Sequence, residues 1–384
     1  MTHMFDRRRF RRSAALLCAV ALFVTGLAAS AEAANPRPVK VMTRNLYLGA
    51  DLNPAITATT VPEFLAANAH IFSVVQQTNF PERAVALARE IADADPTLIG
   101  LQEVAIWYSG AFNDPTPATT VEYDFLASLQ EELVRVGAPY DVVRVQAEAD
   151  IEGPAGAPHF KDFRLVQRDV ILVKAGQGDE VKLTNDQSGN FDSTLVLTTG
   201  TGQQIPVKRG WVSVDATVNR RTFRFVNTHL EAFHPLIRLE QAQELIAPTG
   251  PIGGSAEDDV ILVGDINSGP ELPVPANRLA FLALVDFGLT DTWAVANPGD
   301  PGFTAGFGEL LDDPLETALE HRVDHVMTLG DIGVVRSRIY GTDPDNRTAT
   351  GMWPSDHAGV VATLTPSSLT PDAGASNSVS LSRG

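Results

Sequence analysis

Residues 260–270 read VILVGDINSGP, an apolar run of strand length followed directly by an acid and an amide. The run is apolar on both faces, which is typical of a strand buried inside a layered α/β protein. Asp265 and Asn267 come directly after it. Side chains at strand ends meet at one edge of a sheet, where several strands can contribute to one site. We therefore predict a functional site at this edge.

The same arrangement of a polar side chain at the end of a short apolar run recurs along the chain. The further positions are Asn45, Glu103, His229, Asp324 and the pair Asp356-His357. Each residue alone is more often a turn former or a helix cap than a functional group. Together they supply the carboxylates, amides and imidazoles that metal-assisted phosphoryl transfer requires.

Strand-like and helix-like segments alternate from residue 38 to residue 365, which predicts a single layered α/β catalytic domain over residues 34–365. The predicted helices cover residues 62–77, 81–94, 121–136 and 236–247. Strands are predicted at 40–43, 97–101, 141–145, 168–174, 193–198, 210–217, 222–228, 259–263, 323–328 and 358–364. Residues 366–384 are rich in Ser, Pro and Gly, which predicts a disordered tail.

The first 33 residues have the pattern of an export signal. Five arginines within residues 7–12 precede an apolar run, and Ala31-Glu32-Ala33 provides small residues for cleavage. Arg8-Arg9 also fits a twin-arginine signal, and a retained amphipathic anchor is the alternative. Cleavage would remove Cys18, the chain's one cysteine, so the mature, secreted protein could hold no disulfide or thiolate site.

The charge of the chain limits the kinds of partner it can bind. The net charge is −18, and removal of residues 1–33 makes it three units more negative because five arginines and two acids are lost. A surface of this kind repels polyanions and argues against tight, nonspecific binding of nucleic acid. A nuclease remains possible, because a local basic patch or bound cations can hold one phosphate.

These motifs resemble those of the endonuclease/exonuclease/phosphatase superfamily, which includes deoxyribonucleases, abasic-site endonucleases, bacterial sphingomyelinases and inositol-polyphosphate phosphatases. The resemblance implies a four-layer α/β-sandwich with two packed mixed β-sheets flanked by helices. It also implies a hydrolase. The chain contains no Gly-rich loop of the nucleotide-binding kind, so no nucleotide cofactor is expected, and the protein is expected to be a monomer. The matching strings, in family order, are TRNLYLGADL (43–52), LIGLQEV (98–104), FVNTHLEAF (225–233), VILVGDINSGP (260–270), HRVDHV (321–326) and PSDHAGVVATL (354–364).

The resemblance assigns the metal site to three residues. Glu103 resembles the principal metal ligand, Asn45 lies beside it, and Asp356 supports the metal or the neighbouring histidine. Oxygen donors of this kind suit Mg²⁺, with Mn²⁺ or Ca²⁺ as alternatives.

The resemblance also assigns the catalytic groups. His357 matches the histidine that contacts the scissile phosphate, and Asp324 the acid that fixes its tautomer. Asp265 matches the residue that activates water, and Asn267 the residue that holds this water and the phosphate in the transition state. Asp265 and His357 can divide the base and acid work between them.

His229 and Arg209 resemble the second histidine and a phosphate-contacting arginine of the deoxyribonucleases. Those enzymes pair the histidine with a glutamate, but the corresponding stretch here contains Gln167 and Asp169. His229 is therefore either a catalytic acid or a hydrogen-bonding residue in the floor of the site. Asp51 is either a further metal ligand or, more often for such a residue, the start of an Asx-turn.

Three classes of enzyme fit the motifs: a nuclease, a lipid phosphodiesterase and a phosphatase. A nuclease is favoured, because nucleic acid is an abundant substrate outside cells. Its backbone contacts would come from basic residues. These are Arg44, Lys161, Arg164, Arg168, Lys208 and Arg209.

A lipid phosphodiesterase would instead need exposed apolar residues, for which residues 106–108 and Phe112 are candidates unless they pack beneath a loop. It would recognise a phospholipid head group, whereas the third class, a phosphatase, would act on phosphoinositides or soluble phosphate esters. A non-enzymatic binding module is disfavoured, because clustered carboxylates repel one another without a cation.

Overall fold

The computed structural model describes residues 38–198, 202, 204–255, 259–314 and 319–366. The predicted export signal lies outside these residues, as does the predicted tail beyond Pro366. No helix within the described ranges has the length and apolar composition needed to cross a bilayer.

The described chain forms strands of widely different length and mostly short helices. The strands are β1 (Val39–Asn45), β2 (Leu98–Gln102), β3 (Ile106–Ala111), β4 (Thr120–Asp124), β5 (Tyr140–Ala155), β6 (Lys161–Lys174), β7 (Val181–Asn190), β8 (Leu195–Thr198), β9 (Gln204–Val207), β10 (Gly210–Val218), β11 (Arg221–His229), β12 (Val260–Asp265), β13 (Thr290–Asp291), β14 (Asp324–Leu329), β15 (Ile332–Tyr340) and β16 (Gly359–Pro366). The helices are α1 (Asn53–Thr57), α2 (Val61–Thr78), α3 (Phe80–Ala94), α4 (Phe125–Arg135), α5 (Pro235–Ile246), α6 (Leu279–Phe287) and α7 (Thr292–Ala296).

Two mixed sheets form the body of the protein. The first sheet has the order β15-β16-β1-β2-β6-β3-β4, with β5 also paired to β6, and the second has the order β13-β14-β12-β11-β10-β7. Strand β1 pairs in parallel with β2, and β11 pairs in parallel with β12. Within each of these two pairs, the carboxyl ends of the strands therefore lie side by side. Strands β8 and β9 form a separate hairpin.

Three apolar cores divide the molecule into four layers. One core lies between the sheets and joins residues such as Val41 of β1 to Phe225 of β11. A second core packs α2, α3 and α4 on the outer face of the first sheet, and a third packs α5 and α6 on the second. The predicted four-layer α/β-sandwich is therefore confirmed.

Helices α2 and α3 follow directly from local sequence. The Thr60 side chain accepts from the Glu63 amide, the Glu63 carboxylate accepts from the Thr60 amide, and this capping box begins α2. The apolar stripe of α3 includes Leu87 and Ile91, both fully buried against the first sheet. The predicted helices at 62–77 and 81–94 are thus present with nearly the predicted bounds.

The predicted helix at 121–136 is wrong over its first turn. Residues 120–124 form β4 and pair with β3, and the helix begins at Phe125. The cause is Asp124, whose carboxylate accepts from the amides of Leu126 and Ala127 and so caps the helix at this point.

The two sheets are in close contact at Gly100, beneath the site. A Cβ on Gly100 of β2 would lie 2.5 Å from the Asn227 Oδ1 and 2.5 Å from the Val263 Cγ2, so only glycine fits. Asn227 of β11 donates to the Leu101 carbonyl at 3.0 Å and accepts from the Gln102 Nε2 at 2.6 Å. This buried polar contact fixes the carboxyl ends of β2 and β11 relative to each other.

Candidate active site

The ends of five strands bring the predicted residues together at one edge of the sandwich. In the second sheet, Asp265 lies directly opposite His229 of β11 and opposite Asp324 of β14. In the first sheet, Asn45 ends β1 and Glu103 follows β2. The amide Nδ2 of Asn45 donates to the Asp265 Oδ2 at 3.1 Å and thereby connects the two sheets.

His357 is held by a carboxylate on the second sheet. Its Nδ1 donates to the Asp324 Oδ2 at 2.8 Å, and its Nε2 faces the Asp265 Oδ2 at 3.8 Å. Burial alone would lower the pKa of His357, but attraction to Asp324, Asp356 and Asp265 outweighs it and raises the pKa well above the ordinary value. His357 is therefore an imidazolium at neutral pH.

Asp265 is buried and held at both of its oxygens. Oδ1 accepts from the Asn267 amide at 2.9 Å, and Oδ2 accepts from Asn45. Burial, followed by repulsion from Asp324, raises the pKa of Asp265 to about 6. Asn267 has a φ of 49°, and its Nδ2 donates to the Leu230 carbonyl at 3.0 Å, which leaves its second amide N–H for another acceptor.

Glu103 and Asp356 line one cavity beside these residues. The Glu103 Oε2 accepts from the Leu48 amide at 2.7 Å. Burial raises the pKa of both carboxyls, and Asp356 raises that of Glu103 further. Two adjacent carboxylates with raised pKa values are the oxygen-donor arrangement that a hard divalent cation would stabilise.

Asn45 is engaged at both ends of its side-chain amide. Its Oδ1 accepts from the Tyr47 amide at 2.8 Å, while its Nδ2 donates to Asp265. Asp51 starts an Asx-turn, because its Oδ1 accepts from the Asn53 amide at 2.9 Å. These contacts place Asn45 as a support for Asp265 and give Asp51 a structural role.

His229 differs from His357 in its charge. Its Nδ1 accepts from the Arg209 guanidinium at 2.9 Å, so the ring proton is on Nε2, which lies 3.5 Å from the Asp265 Oδ2. Burial, then repulsion from Arg209 and His357, lowers the pKa of His229 well below the ordinary value. A neutral ring that donates toward Asp265 is a positioning group, and an imidazolium acid is disfavoured.

Two acids that the sequence analysis did not assign to the site lie behind His229. Glu148 and Asp169 are buried, and the Glu148 Oε2 is 3.7 Å from the Arg209 Nη1. Burial raises the pKa of Glu148 to about 7, and burial with repulsion from Glu148 raises that of Asp169 well above its ordinary value. The pair therefore holds a proton at neutral pH. Donor atoms of Glu148, Asp169 and His229 lie within 4.8 Å of one another, but the Arg209 guanidinium beside them disfavours a metal ion there.

Arg83 connects the loops that carry the site. Its side chain is fully buried and donates to the carbonyls of Leu46, Tyr47, Thr78 and Pro354, at distances of 2.6–2.9 Å. Leu46 and Tyr47 follow Asn45, and Pro354 shortly precedes Asp356. Arg83 thus ties the segment after β1 to the segment before β16.

The cavity next to Glu103 has a volume of ≈ 410 Å³ and is largely apolar. Trp107, which the sequence left either exposed to a membrane or packed, is packed. Its side chain is 3% exposed, and its Nε1 donates to the Leu48 carbonyl. Phe112 is 43% exposed. Other apolar side chains that line the cavity include Leu52, Ile56, Phe64, Ile71, Ile151, Leu165, Leu197, Ile205, Val207, Phe233 and Phe307.

Most of the basic residues predicted to contact nucleic acid are paired with acids. Arg164 contacts Asp150 at 2.6 Å, Arg168 contacts Asp124 at 2.7 Å, and Lys161 contacts Glu122 at 3.3 Å. Buried Arg44 contacts Glu90 at 3.1 Å. Lys208 is exposed, and Arg209 lies in the site with 4% exposure. These six residues do not form a continuous basic track.

Comparisons with known proteins agree with this architecture. The model of the Endonuclease/Exonuclease/phosphatase family matches residues 72–357. No match to a curated protein was found. Among solved structures, an endonuclease/exonuclease/phosphatase family protein from Bacteroides thetaiotaomicron is 16% identical, with a TM-score of 0.53 over 86% of this chain and 98% of that chain.

Two further solved structures share the fold. A mannosyl-6-phosphatase from Bacteroides thetaiotaomicron is 15% identical, with a TM-score of 0.53 over 85% of this chain and 99% of that chain. A protein titled endonuclease/exonuclease/phosphatase from Beutenbergia cavernae is 18% identical, with a TM-score of 0.51 over 87% of this chain and 72% of that chain.

The family match covers most of the chain, and the strand ends that it includes carry the acids and imidazoles described above. The family is generally dependent on divalent metals, and its members are phosphoester hydrolases. The chain belongs to the endonuclease/exonuclease/phosphatase family and is a phosphoester hydrolase.

Proposed function

We propose that the chain is a cation-dependent phosphodiesterase in which Asp265 activates the attacking water. The observation that carries this proposal is the buried contact set in which Asp324 orients His357, and His357, His229 and Asn45 all face the Oδ2 of Asp265. We also propose that the protein is exported, on the basis of the signal-like sequence of residues 1–33.

Each charged group has a distinct task in this mechanism. The Asp265 carboxylate, with its pKa near 6, is largely ionised at neutral pH and accepts a proton from water. The His357 imidazolium donates to a phosphoryl oxygen or to the leaving oxygen, and Asp324 holds the ring in position. Arg209 supplies a fixed positive charge at the edge of the cavity.

Glu103 and Asp356 would hold the cation, for which we propose Mg²⁺. Their donor atoms are hard oxygens, as Mg²⁺ prefers. Burial, followed by repulsion from neighbouring acids, raises the pKa of both carboxyls, and a cation would stabilise their ionised forms. When bound, the cation would neutralise charge on the phosphoryl group. Asn45 orients Asp265 through its Nδ2, and its Oδ1 keeps a second lone pair, beside the contact to the Tyr47 amide, for the cation.

The substrate that we propose is a small or amphiphilic phosphoester. Nucleic acid, which the sequence favours, is the alternative. The paired state of Arg164, Arg168 and Lys161 supports the smaller substrate, because a polymer needs several free cations along its backbone.

A substrate panel tests the proposed function. Residues 34–384 would be assayed with Mg²⁺ on bis(p-nitrophenyl) phosphate, p-nitrophenyl phosphate, single-stranded DNA and RNA, with His357→Gln as the inactive control. We expect turnover of the diester to exceed that of the monoester and to be lost in the variant. Full activity of His357→Gln would contradict the mechanism, and faster cleavage of DNA or RNA would identify nucleic acid as the substrate.

A further inference from the structure

We propose that the cavity beside Glu103 and Asp356 binds a hydrocarbon portion of the substrate, so that the preferred substrate is an amphiphilic phosphoester with a single phosphate. This inference rests on the proposed function, because it places the phosphate at the catalytic groups.

The cavity connects the charged groups of the site to apolar side chains. Glu103, Asp356 and Arg209, which belong to the site described above, are among the residues that line it. The apolar lining comes from separate parts of the chain, including Ile56 of α1 and Ile151 of β5. A ligand whose phosphate lies at these charged groups can therefore contact apolar side chains in the same cavity.

The size and lining of the cavity favour an alkyl or acyl chain. A volume of ≈ 410 Å³ lies in the range of about 300–1,000 Å³ that is usual for small-molecule sites. Each methylene group moved from water into such surroundings increases binding about fourfold. A short chain is enough to produce a clear preference.

Acids near the cavity disfavour a second phosphate. Asp51, Glu152 and Glu309 also line the cavity. The Glu309 Oε1 accepts from the Asp51 amide at 3.1 Å, and Glu152 accepts from the Ala118 amide at 3.0 Å. These contacts hold the Glu309 and Glu152 carboxylates in place, and the Asp51 carboxylate is held by the Asn53 amide. The negative charge of the three acids repels the neighbouring phosphates that a nucleic acid would bring.

The hairpin of β8 and β9 forms one wall and offers a matched set of variants. Leu197 and Ile205 pair directly across the hairpin, and both line the cavity. Val196, the next residue in β8, is 50% exposed and does not line it. A change at Val196 therefore alters the hairpin without altering the lining of the cavity.

The test is the affinity of the Mg²⁺-loaded protein for n-octyl phosphate and for ethyl phosphate, measured by isothermal titration. We expect octyl phosphate to bind at least about tenfold more tightly to the wild type and to Val196→Ser. In Leu197→Ser/Ile205→Ser the ratio should fall to near one. Ile56→Ser on α1, which also lines the cavity and should also lower the ratio, keeps the test decisive if the double variant does not fold. Equal affinities in the wild type, or an unchanged ratio in the folded wall variants, would overturn the inference.

Turnover of p-nitrophenyl methyl phosphate separates this inference from the proposed function. Val196→Ser, which changes the hairpin outside the cavity, should hydrolyse this diester at about the wild-type rate. A wild type that binds octyl phosphate preferentially but hydrolyses no diester would refute the phosphodiesterase proposal and leave the hydrocarbon site supported.

Discussion

At the scale of single residues, neighbouring charges give the two histidines of the site different protonation states. His357 is close to the carboxylates of Asp324, Asp356 and Asp265 and is cationic. His229 is more deeply buried, lies against Arg209 and is neutral. The acid and the positioning group are therefore distinguished by their partners, which belong to other strands.

The carboxylate that orients His357 can be tested by Asp324→Asn. The variant keeps the shape of the side chain but removes the charge that favours the imidazolium, so we expect kcat to fall about 100-fold or more. Far-UV circular dichroism should be unchanged. Asp286→Asn, at an exposed position on α6, is the control and should keep the wild-type rate. A kcat for Asp324→Asn close to that of the wild type would show that the contact has no catalytic role.

The buried Glu148 carboxyl predicts a particular dependence of stability on pH. Its pKa is raised from 4.5 to about 7 in the folded protein, so between these values the unfolded chain loses a proton that the folded chain retains. The stability that this site contributes is complete below pH 4.5 and is lost as the pH rises through about 7.

Glu148→Gln removes this titration. Between pH 4.5 and pH 7, the free energy of unfolding from urea titrations should fall less for the variant than for the wild type, by a difference on the order of 3 kcal/mol. Glu131→Gln, at an exposed site on α4, should behave like the wild type. Identical pH profiles for Glu148→Gln and the wild type would mean that Glu148 is ionised in the folded protein.

The sequence could predict the residues at strand ends but not those that support them. Asp265 and Glu103 each follow a buried apolar run, and adjacent strands bring such ends together. Glu148 has no such signal, because it lies in a part of β5 where the register with β6 shifts between Ala147 and Asp150. Its contact with Arg209 depends on tertiary packing that local sequence does not encode.

At the scale of elements, the loops of the site are held by hydrogen bonds from a helix. Arg83 on α3 supplies four of these bonds to backbone carbonyls, without a carboxylate partner among the contacts described above. Burial lowers the pKa of Arg83 to about 10, which still leaves it charged at neutral pH. The charge of Arg83 is balanced mainly by carbonyl dipoles. Removal of the Arg83 side chain would therefore leave several buried carbonyl oxygens without a hydrogen-bond donor.

Arg83→Met should therefore destabilise the protein by about 2–4 kcal/mol and lower kcat at the same time. The measurements are the urea midpoint and turnover under conditions where the variant is folded. Arg89→Met, on the exposed face of the same helix, should change the stability by less than about 0.5 kcal/mol. Equal stability of the two variants would indicate that the carbonyls find water as a replacement donor.

The predictability of an element depended on whether its pattern is visible in the sequence. The apolar stripe of α3 and the buried run of β12 predicted both elements well. Strands β5 and β7 carry many exposed polar residues, and residues 146–155 and 181–190 were not predicted as strands for that reason. Pairing with β6 and β10 stabilises them instead.

At the scale of the whole molecule, the site exists because two sheets meet with their carboxyl ends at the same edge. The order of the motifs along the chain predicted this sandwich. Each motif lies at the end of a strand, and these strands occupy inner positions of the two sheets. The strand predicted at 193–198 is present as β8 (Leu195–Thr198), but its pairing with β9 was not predicted. The apolar cavity could not be predicted, because the side chains that enclose it come from many separate elements.

The most direct test of a cation site at the junction of the two sheets is the Mg²⁺ dependence of diester turnover in the wild type, Glu103→Gln and Asp286→Asn. Asp286 is an exposed acid on α6 that does not line the cavity, so Asp286→Asn is the control. We predict that the wild type and Asp286→Asn saturate at the same Mg²⁺ concentration and lose activity with chelator. Glu103→Gln should require at least about 100-fold more Mg²⁺ or be inactive. A Mg²⁺ response of Glu103→Gln equal to that of the wild type would contradict the assignment of a cation site at the junction of the two sheets.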